Sequence, residues 1–386
     1  MTLKKTAPIF LAFFVMGVAD SMGPLSDAVQ KQFELSNVMA TLLPFFVFIA
    51  FADFSIPGGI LAGRIGMKKL LLIGLGLNAV ATLIPTVIAP EFVLLLSCIF
   101  VLGVGTTFLQ VAGNPIMRDV SSEGAYSRNL SFAQGIKGVG SASSAYLVSG
   151  VIAGIAVFAS MGWRAPFPFF FVLMVVAFVW VATMKIEEKK AETPPSFRSS
   201  LSLLKEPVFA FAVLGIFLYI GAEVSVARFS KPFFVGFGFT DDKAALYGPS
   251  AFFLLITIGR LLGGVVLHII SARTFFRISA SLGLAAGVLF MFDVKILAIA
   301  GIVCAGLGFA SIWPMLFSIT VEERPERAAE LSGLMCMAIA GGAIIPLFMG
   351  KIVDGTGNLA LSFIVPTVCF IYLVVLSFKG GKKATV

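Results

Sequence analysis

Long apolar stretches recur along this chain, each about as long as the hydrocarbon core of a membrane is thick. About 20 apolar residues in a helix span roughly 30 Å of hydrocarbon. Short segments rich in glycine and charged residues separate the stretches. The pattern predicts an all-α membrane protein with twelve transmembrane helices, at residues 8–30, 37–62, 69–87, 92–117, 126–155, 164–183, 207–235, 243–269, 273–291, 294–319, 329–352 and 359–378.

One long polar stretch, residues 184–206, divides the predicted spans six and six. Its Pro, Ser and Lys-rich composition is that of a flexible linker. We therefore predict an N-terminal six-helix bundle at 1–183, a cytoplasmic linker at 184–206 and a C-terminal six-helix bundle at 207–386. Six spans in each half give both halves the same orientation, which is the layout of a parallel repeat.

The two halves also resemble each other weakly in sequence. Gly59 begins a glycine-containing stretch at the end of span 2 that corresponds to the stretch beginning at Gly264 in span 8. Gly103 in span 4 corresponds in the same way to Gly306 in span 10. The offset between the pairs is nearly constant, which supports an internal duplication.

Composition and charge agree with a membrane location. The chain is 59% hydrophobic and 12% charged, whereas soluble domains carry about 25% charged residues. If both termini are cytoplasmic, 19 of the 28 Lys and Arg residues lie in cytoplasmic segments, 4 in outer loops and 5 within spans. Cytoplasmic segments of membrane proteins carry an excess of Lys and Arg, and this positive-inside bias accounts for the net charge of +8. A nucleic-acid partner is therefore not needed to explain the charge.

Nothing in the sequence points to an enzyme or a metal site. There is one histidine, so a histidine metal cluster is impossible, and no phosphate-binding loop or zinc-ligand spacing is present. The four cysteines, Cys98, Cys304, Cys336 and Cys369, all fall inside predicted spans and are expected to be small packing residues. A transporter, a channel and a non-transporting receptor remain as alternatives, and the repeat favours a transporter.

Three charged residues lie inside the apolar stretch between Ile216 and Phe234, namely Glu223, Arg228 and Lys231. A charge at bilayer depth costs roughly 2.5–3.5 kcal/mol on insertion scales, so such residues usually face a water-filled path. The stretch therefore indicates a protein that moves a solute across a membrane. Glu223 is a candidate proton carrier, and an ion pair with Arg228 is its structural alternative.

Asp20 is the second candidate proton carrier. It lies about 12 residues into the first predicted span, or roughly 18 Å at 1.5 Å per residue, near the middle of the membrane. A carboxylate at that depth can load a proton from one side and release it to the other. The structural alternative is an ion pair with Lys137, which lies at a similar depth in span 5.

Polar side chains on several spans form a candidate substrate site. Amides both donate and accept hydrogen bonds, which suits sugar hydroxyls, and interhelical hydrogen bonds of about 0.6–2 kcal/mol are the alternative. Trp313 corresponds to Gln110 in the repeat and can either stack on a sugar or pack against helices. The amide candidates are Gln110, Asn114, Asn129 and Gln134.

Three further polar residues are expected to have structural roles. Asp53 is expected near the cytoplasmic end of span 2, as a contact to the following loop. Arg260 is given a similar structural role in span 8. His268 is expected to be exposed at the cytoplasmic boundary of span 8.

Several motifs carry a family resemblance. The stretch GGILAGRIGMKK at 58–69 resembles the loop motif after the second helix of the major facilitator superfamily, with Gly63 in place of the usual aspartate. The stretches LQVAGNP at 109–115, RNLSFAQ at 128–134 and FLYIGAEVS at 217–225 resemble patterns of its fucose/galactose/glucose–proton symporter family, as does the pair Gly259-Arg260. The matching stretches occur in the same order as in the family and together cover most of the chain.

The resemblance implies a proton-coupled sugar symporter that works by alternating access in the bacterial inner membrane. The expected substrate is a neutral hexose or deoxyhexose, the expected state is a monomer, and no cofactor is expected apart from a coupling proton or sodium ion. Gly23-Pro24 stand where the family usually has Asn-Asp, and Gln110 stands where the fucose branch has a glutamate.

Added cations leave a second substrate class open. Lys137, Arg228 and Lys231 lie where neutral residues are expected from the family. Positive side chains of this kind suit a carboxylate. The alternative substrate is therefore a sugar acid or another organic anion, coupled to protons or sodium.

Overall fold

The computed structural model describes residues 3–36, 39, 42–146, 160–185 and 195–379, and these residues are almost entirely helical. Ten helical segments are long and apolar enough to cross a membrane. They match ten of the twelve predicted spans, with ends that differ by at most five residues. The ten are Leu42–Ile65, Met67–Val87, Phe92–Asp119, Gly162–Thr183, Pro207–Gly236, Asp241–Val266, Ala272–Met291, Lys295–Glu323, Pro325–Thr356 and Leu359–Phe378.

Several of these segments contain breaks, so the α-helices are more numerous than the spans. Five 3₁₀ turns, at Gly17–Ser21, Gly162–Arg164, Leu203–Lys205, Pro325–Arg327 and Ala338–Ala340, and one π-type turn at Leu246–Ser250 lie between helices. The helices are α1 Leu3–Met16, α2 Met22–Gln32, α3 Leu42–Ile65, α4 Met67–Val87, α5 Phe92–Asp119, α6 Tyr126–Tyr146, α7 Phe167–Thr183, α8 Phe197–Ser202, α9 Pro207–Gly236, α10 Asp241–Ala245, α11 Ala251–Val266, α12 Ala272–Met291, α13 Lys295–Ala310, α14 Ile312–Glu323, α15 Ala328–Met337, α16 Gly341–Thr356, α17 Leu359–Ser362 and α18 Ile364–Phe378.

The first and fifth predicted spans are the two outside these ten. The first is divided into α1 and α2 by the turn Gly17–Ser21. At Gly17 a Cβ atom would lie 2.7 Å from the carbonyl oxygen of Lys137, so α1 and α6 touch where the turn begins. The fifth corresponds to α6, and residues 147–159 lie outside the described residues.

Packing groups the chain into two units. Unit 1 comprises Met1–Glu123, Ile136–Ser200 and Glu326–Met337, and unit 2 comprises Gly124–Gly135, Leu201–Pro325 and Ala338–Val386. The two units follow chain order except for two segments, because Gly124–Gly135 belongs to unit 2 and Glu326–Met337 belongs to unit 1. Each unit holds one part of α6 and one part of the interrupted segment α15–α16. The predicted bundles at 1–183 and 207–386 stay a prediction about topology.

In unit 1, glycines bring helix backbones into contact. A Cβ atom on Gly59 of α3 would lie 2.6 Å from the carbonyl oxygen of Ala329, and one on Gly333 of α15 would lie 2.8 Å from that of Ser55. Both distances are shorter than a van der Waals contact. Small residues that permit close backbone approach are a main source of helix association in lipid, where apolar burial alone contributes little.

The second part of the predicted linker is held against unit 1. Arg64 Nη2 donates to the carbonyl oxygen of Pro195 at 3.3 Å. The Pro195 ring packs on Gly63, where any added Cβ atom would collide with it. The glycine that replaces the usual aspartate of the superfamily motif is therefore required for this contact.

A second contact fastens α8 to the start of α15. Ser199 Oγ donates to Glu330 Oε1 at 2.6 Å, and Arg327 Nε donates to Glu330 Oε2 at 2.6 Å. Arg327 Nη2 also donates to the carbonyl oxygen of Ser199 at 2.7 Å. Residues 195–200 of the predicted linker thus pack within unit 1, because Pro195 and Ser199 have partners there.

Unit 2 has an aromatic core. The rings of Phe290 and Phe363 lie 4.5 Å apart, and those of Phe309 and Phe370 lie 4.3 Å apart. Gly283 of α12 lies directly against the Phe370 ring, in a position where no side chain would fit. Interlocked rings add specific contact energy beyond the area they cover, and they hold α12, α13 and α18 together.

The contact between Gly59 and Gly333 leads to a stability prediction. We expect Gly333→Val to lower the thermal unfolding midpoint of the detergent-solubilised protein, since overpacking of this kind usually costs about 1–3 kcal/mol. Gly355→Val is the matched control, because a Cβ atom on Gly355 meets nothing within 4 Å. Equal midpoints for the two variants would contradict the contact.

Candidate functional site

Glu223 lies near the centre of α9 and has two polar neighbours. Tyr219, one turn earlier on the same helix face, donates a hydrogen bond from its hydroxyl to Glu223 Oε2. Arg260 Nη2 of α11 lies 3.5 Å from the same carboxylate oxygen and 3.3 Å from the Tyr219 hydroxyl. The three side chains form a group in unit 2, here called the α9–α11 triad.

The triad is anchored to a break between α13 and α14. Proline lacks a backbone N–H, so Pro314 cannot donate to the carbonyl of Ala310, four residues before it. Arg260 Nε donates to that carbonyl oxygen at 3.2 Å. The helix is interrupted at Ser311, between α13 and α14. The guanidinium thus satisfies a backbone group that the proline leaves without a helical partner.

Partial burial strengthens the interaction within the triad. The Arg260 and Glu223 side chains are 13% and 16% exposed, and Tyr219 is fully buried. Opposite charges attract far more strongly away from bulk water. Among the residues that the structure describes, Tyr219 and Arg260 are the polar groups that contact the Glu223 carboxylate.

Trp313 lies beside this break, at the start of α14. It is buried, and its ring packs against Phe317 at 5.6 Å. Its indole Nε1 and the nearby Ser311 hydroxyl have no hydrogen-bond partner within the described part of the chain, and the same holds for Ser225 on α9. Buried donors without partners are rare in proteins and call for a ligand or water.

The predicted site residues in unit 1 lie on α5, α6 and the first turn. Gln110 and Asn114 are both buried, one turn apart on α5. The Gln110 Oε1 atom has no partner among the described residues. Lys137 is half-buried on α6. Asp20 lies in the turn Gly17–Ser21, and its side chain is outside the described part.

The remaining predicted residues lie in unit 2. Asn129 and Gln134 are buried on the first half of α6. Arg228 is exposed on α9 and forms no hydrogen bond or ion pair with the residues described. Within unit 2 the structure thus brings Glu223 together with Tyr219 and Arg260, two residues that sequence reasoning did not place at the site.

Lys231 has a partner that the sequence did not reveal. Its Nζ lies 3.2 Å from Asp241 Oδ2, with side chains 43% and 77% exposed. Asp241 begins α10, just after the end of α9. An exposed pair of this kind contributes at most about 1 kcal/mol. Lys231 is therefore neutralised near the end of its helix.

The structure differs from the expectations for Asp53 and Arg260 and agrees with the one for His268. Asp53 is not near a helix end, because α3 begins and ends later than predicted and places it at the middle, exposed. Arg260, expected to be structural, contacts Glu223 instead. His268 is exposed as expected, and its Nδ1 lies 3.0 Å from Arg128 Nη1.

Two signals in the sequence point to the triad. Tyr219 and Glu223 are four residues apart and so share a helix face. Pro314 implies a carbonyl at position 310 that needs an external donor. Neither signal identifies Arg260 as that donor, because the contact depends on how α11 packs on α13.

Comparison with known proteins identifies the superfamily of this chain. Residues 9–346 match the Major Facilitator Superfamily. The chain belongs to this superfamily. Its members are transporters and not enzymes, and the protein is a multi-pass integral membrane protein. The predicted resemblance to this superfamily and to its sugar symporters is confirmed.

Individual relatives cover nearly the whole chain. A glucose/galactose transporter of Brucella abortus is 26% identical over 97% of this chain and 93% of its own length. An L-fucose-proton symporter of Haemophilus influenzae is 23% identical over 96% of this chain and 95% of its own. The crystal structure of the Escherichia coli fucose:proton symporter superposes with a TM-score of 0.83 at 20% identity, covering 96% and 97% of the two chains.

The bridging hydroxyl of Tyr219 leads to a second stability prediction. We expect Tyr219→Phe to lower the thermal unfolding midpoint, since it removes hydrogen bonds to two partly buried charged groups, at a cost of about 1.5–3 kcal/mol. Tyr247→Phe is the matched control, because Tyr247 is exposed and its hydroxyl forms no bond with the described residues. A midpoint unchanged in Tyr219→Phe would exclude the bridge.

Proposed function

We propose that this protein is a secondary active transporter that takes up a neutral hexose or deoxyhexose together with a proton, by alternating access. The observation that carries the proposal is an ionisable group at the centre of a membrane-spanning helix, Glu223, paired across helices with Arg260. Relatives that are glucose/galactose transporters and L-fucose-proton symporters, matching over nearly their whole length, support the substrate class.

The proposal includes twelve transmembrane helices with both termini in the cytoplasm of a bacterium, in its inner membrane, and a monomeric protein. Ten apolar spans support this count, together with the interrupted pair α1–α2 and the helix α6. The orientation is supported by the excess of Lys and Arg in segments that twelve spans place inside. No cofactor is proposed beyond the coupling ion.

The substrate site is proposed to use the buried amides and Trp313. A sugar presents hydroxyls that both donate and accept, and an amide can match each of them. Gln110 Oε1 and Trp313 Nε1 are buried without partners in the described part of the chain, which supports ligand contact. Asn114, Asn129 and Gln134 are also buried amides.

Asp20 and Glu223 are proposed as the proton-coupling groups. Inward movement of one positive charge across 100 mV releases about 2.3 kcal/mol. That energy is sufficient to concentrate a neutral sugar several-fold inside the cell. The proposed coupling ion is a proton, and sodium is the alternative.

A transporter of an anionic sugar acid or another organic anion is the second candidate. Lys137 and Arg228 favour it, because Arg228 is an exposed cation without an ion pair in the described residues. Lys231 no longer adds to this case, since Asp241 neutralises it. The remaining excess of positive charge is small, so the neutral sugar stays the preferred substrate.

Uptake by proteoliposomes tests the substrate class. The probes are labelled D-galactose, D-glucose, L-fucose and D-galacturonate, with the outside acidic. We expect accumulation of at least one neutral sugar that is abolished by a protonophore. Accumulation of galacturonate instead, lost in Lys137→Ala, would establish the anion transporter.

A carboxylate variant tests the coupling role. We expect Glu223→Gln to lose accumulation driven by the pH gradient, because glutamine cannot bind and release a proton. Exchange of labelled for unlabelled sugar is expected to continue, since it needs no net proton movement. Asp354→Asn, at an exposed position near the end of α16, serves as the matched control and should behave like the wild type. Full accumulation by both Glu223→Gln and Asp20→Asn would show that other groups carry the proton.

A further inference from the structure

Two cations flank the end of α18, the last membrane-spanning helix of unit 2. Arg277 of α12 donates from Nε to the carbonyl oxygen of Ser377 at 3.2 Å, and its guanidinium carbon lies 5.0 Å from the centre of the Phe378 ring. Lys379, the residue after α18, places its Nζ 4.4 Å from the centre of the Phe211 ring on α9. The end of α18 therefore has one cation towards α12 and another towards α9.

We propose that this end of unit 2 binds the headgroup of an anionic phospholipid, whose phosphate is contacted by Arg277 and Lys379. The inference goes beyond the proposed function, since it does not depend on which solute or coupling ion is transported. The proposed topology places the start of α9, the start of α12 and the end of α18 on the cytoplasmic side. The lipid therefore belongs to the cytoplasmic leaflet, which is negatively charged.

The first step concerns charge. Arg277 and Lys379 form no ion pair with a carboxylate in the described part of the chain. The carboxylate that directly precedes α9, Glu206, is held by Arg324 through hydrogen bonds of 2.6 and 2.9 Å. The positive charge at the end of α18 is therefore not balanced by these neighbours, and it attracts an anion.

The second step concerns hydrogen-bond donors. An arginine side chain has five N–H donors and a lysine side chain has three. Arg277 uses Nε for Ser377, and its two terminal nitrogens donate to no described residue. Lys379 Nζ donates to none either. A guanidinium with both terminal nitrogens available suits a phosphate, because two phosphate oxygens can accept from it in parallel.

The third step concerns the lipid acyl chain. Side chains three or four residues apart share one face of a helix. One such face of α18 is apolar and exposed, and it consists of Val368, Ile371, Val375 and Phe378. Phe378 is 63% exposed and lies under the Arg277 guanidinium. An acyl chain that lies along this face brings its phosphate to the cation.

The two rings hold the cations at the depth of the lipid phosphates. Long basic side chains at helix ends usually extend towards water. Here Arg277 and Lys379 each stack on an exposed phenylalanine, an arrangement stabilised by attraction between a cation and a ring face. Tyr372 of α18 also donates its hydroxyl to the carbonyl oxygen of Phe211 at 2.9 Å, which joins α18 to α9 beside Lys379. The cations thus stay where the apolar surface ends.

Lipid binding to the detergent-solubilised protein tests the inference. The probes are phosphatidylglycerol and phosphatidylcholine with identical acyl chains, and native mass spectrometry gives their dissociation constants. We expect the wild type to bind phosphatidylglycerol at least about tenfold more tightly. Lys379→Gln and Arg277→Gln are each expected to weaken phosphatidylglycerol binding about fivefold, which corresponds to about 1 kcal/mol per cation near a membrane surface. Phosphatidylcholine binding should not change.

Lys295→Gln is the matched control. Lys295 Nζ also lies over a phenylalanine ring, that of Phe239, at 4.2 Å. It begins α13, at the end of unit 2 where α12 finishes, so it is far along the span from Arg277. The substitution removes the same charge and the same kind of ring contact. A loss of phosphatidylglycerol affinity as large as in Lys379→Gln would overturn the assignment to the end of α18.

Lys379→Gln keeps the test informative if Arg277→Gln folds poorly. Lys379 is exposed and follows the last turn of α18, so its replacement should leave the fold intact. Equal phosphatidylglycerol affinities of the wild type and Lys379→Gln would overturn the inference. Displacement of the lipid by an equal concentration of glycerol 3-phosphate would also overturn it, because the site would then be one for a free phosphate ester.

Discussion

In the hydrocarbon core of a membrane, every charge and every backbone polar group must find a partner within the protein, and the rest of this structure depends on that constraint. Water is not there to satisfy them. Helices meet the requirement for the backbone, except where a proline leaves a carbonyl without a donor. At Ala310 the donor is Arg260, and the charge of Arg260 is in turn balanced by Glu223. The Arg260 side chain of α11 thus provides a donor for a carbonyl of α13 and a counter-ion for a carboxylate of α9.

The same constraint separates the cations of α9. Lys231 lies near the helix end, where an exposed aspartate on α10 is available as a partner. Arg228 lies further into the helix and is exposed without such a partner in the described residues. A charge in that position is stable only where water reaches it.

Close backbone contacts provide the second organising feature. Gly59 of α3 and Gly333 of α15 meet with no room for a side chain, and Gly63 does the same for Pro195 of the linker. The departure at Gly63 from the superfamily motif thus has a steric reason. Within unit 1, the polar contacts of Glu330 with Ser199 and Arg327 join α8 to the start of α15. The linker is part of the folded unit there.

Hydropathy by itself determined most of the fold, because the preference of a residue for lipid is a local property that adds up along a helix. Ten of the twelve predicted spans and the membrane class follow from it. Local motifs likewise identified the superfamily. The break in the first span was missed, since Gly17 does not lower hydropathy enough to mark a turn. The membership of Gly124–Gly135 in unit 2 and of Glu326–Met337 in unit 1 cannot be read from the sequence, because it depends on packing.

The tertiary structure alone decided which polar groups meet. Glu223 and Arg260 are 37 positions apart, and Arg260 and Ala310 are 50 apart. No periodicity relates residues at such distances, so the pairing follows from the packing of α11 on α13 and from the reach of the Arg260 side chain to α9. Sequence therefore determined that charges lie within the membrane, and the packing of helices decided that Arg260, and not Arg228, neutralises Glu223.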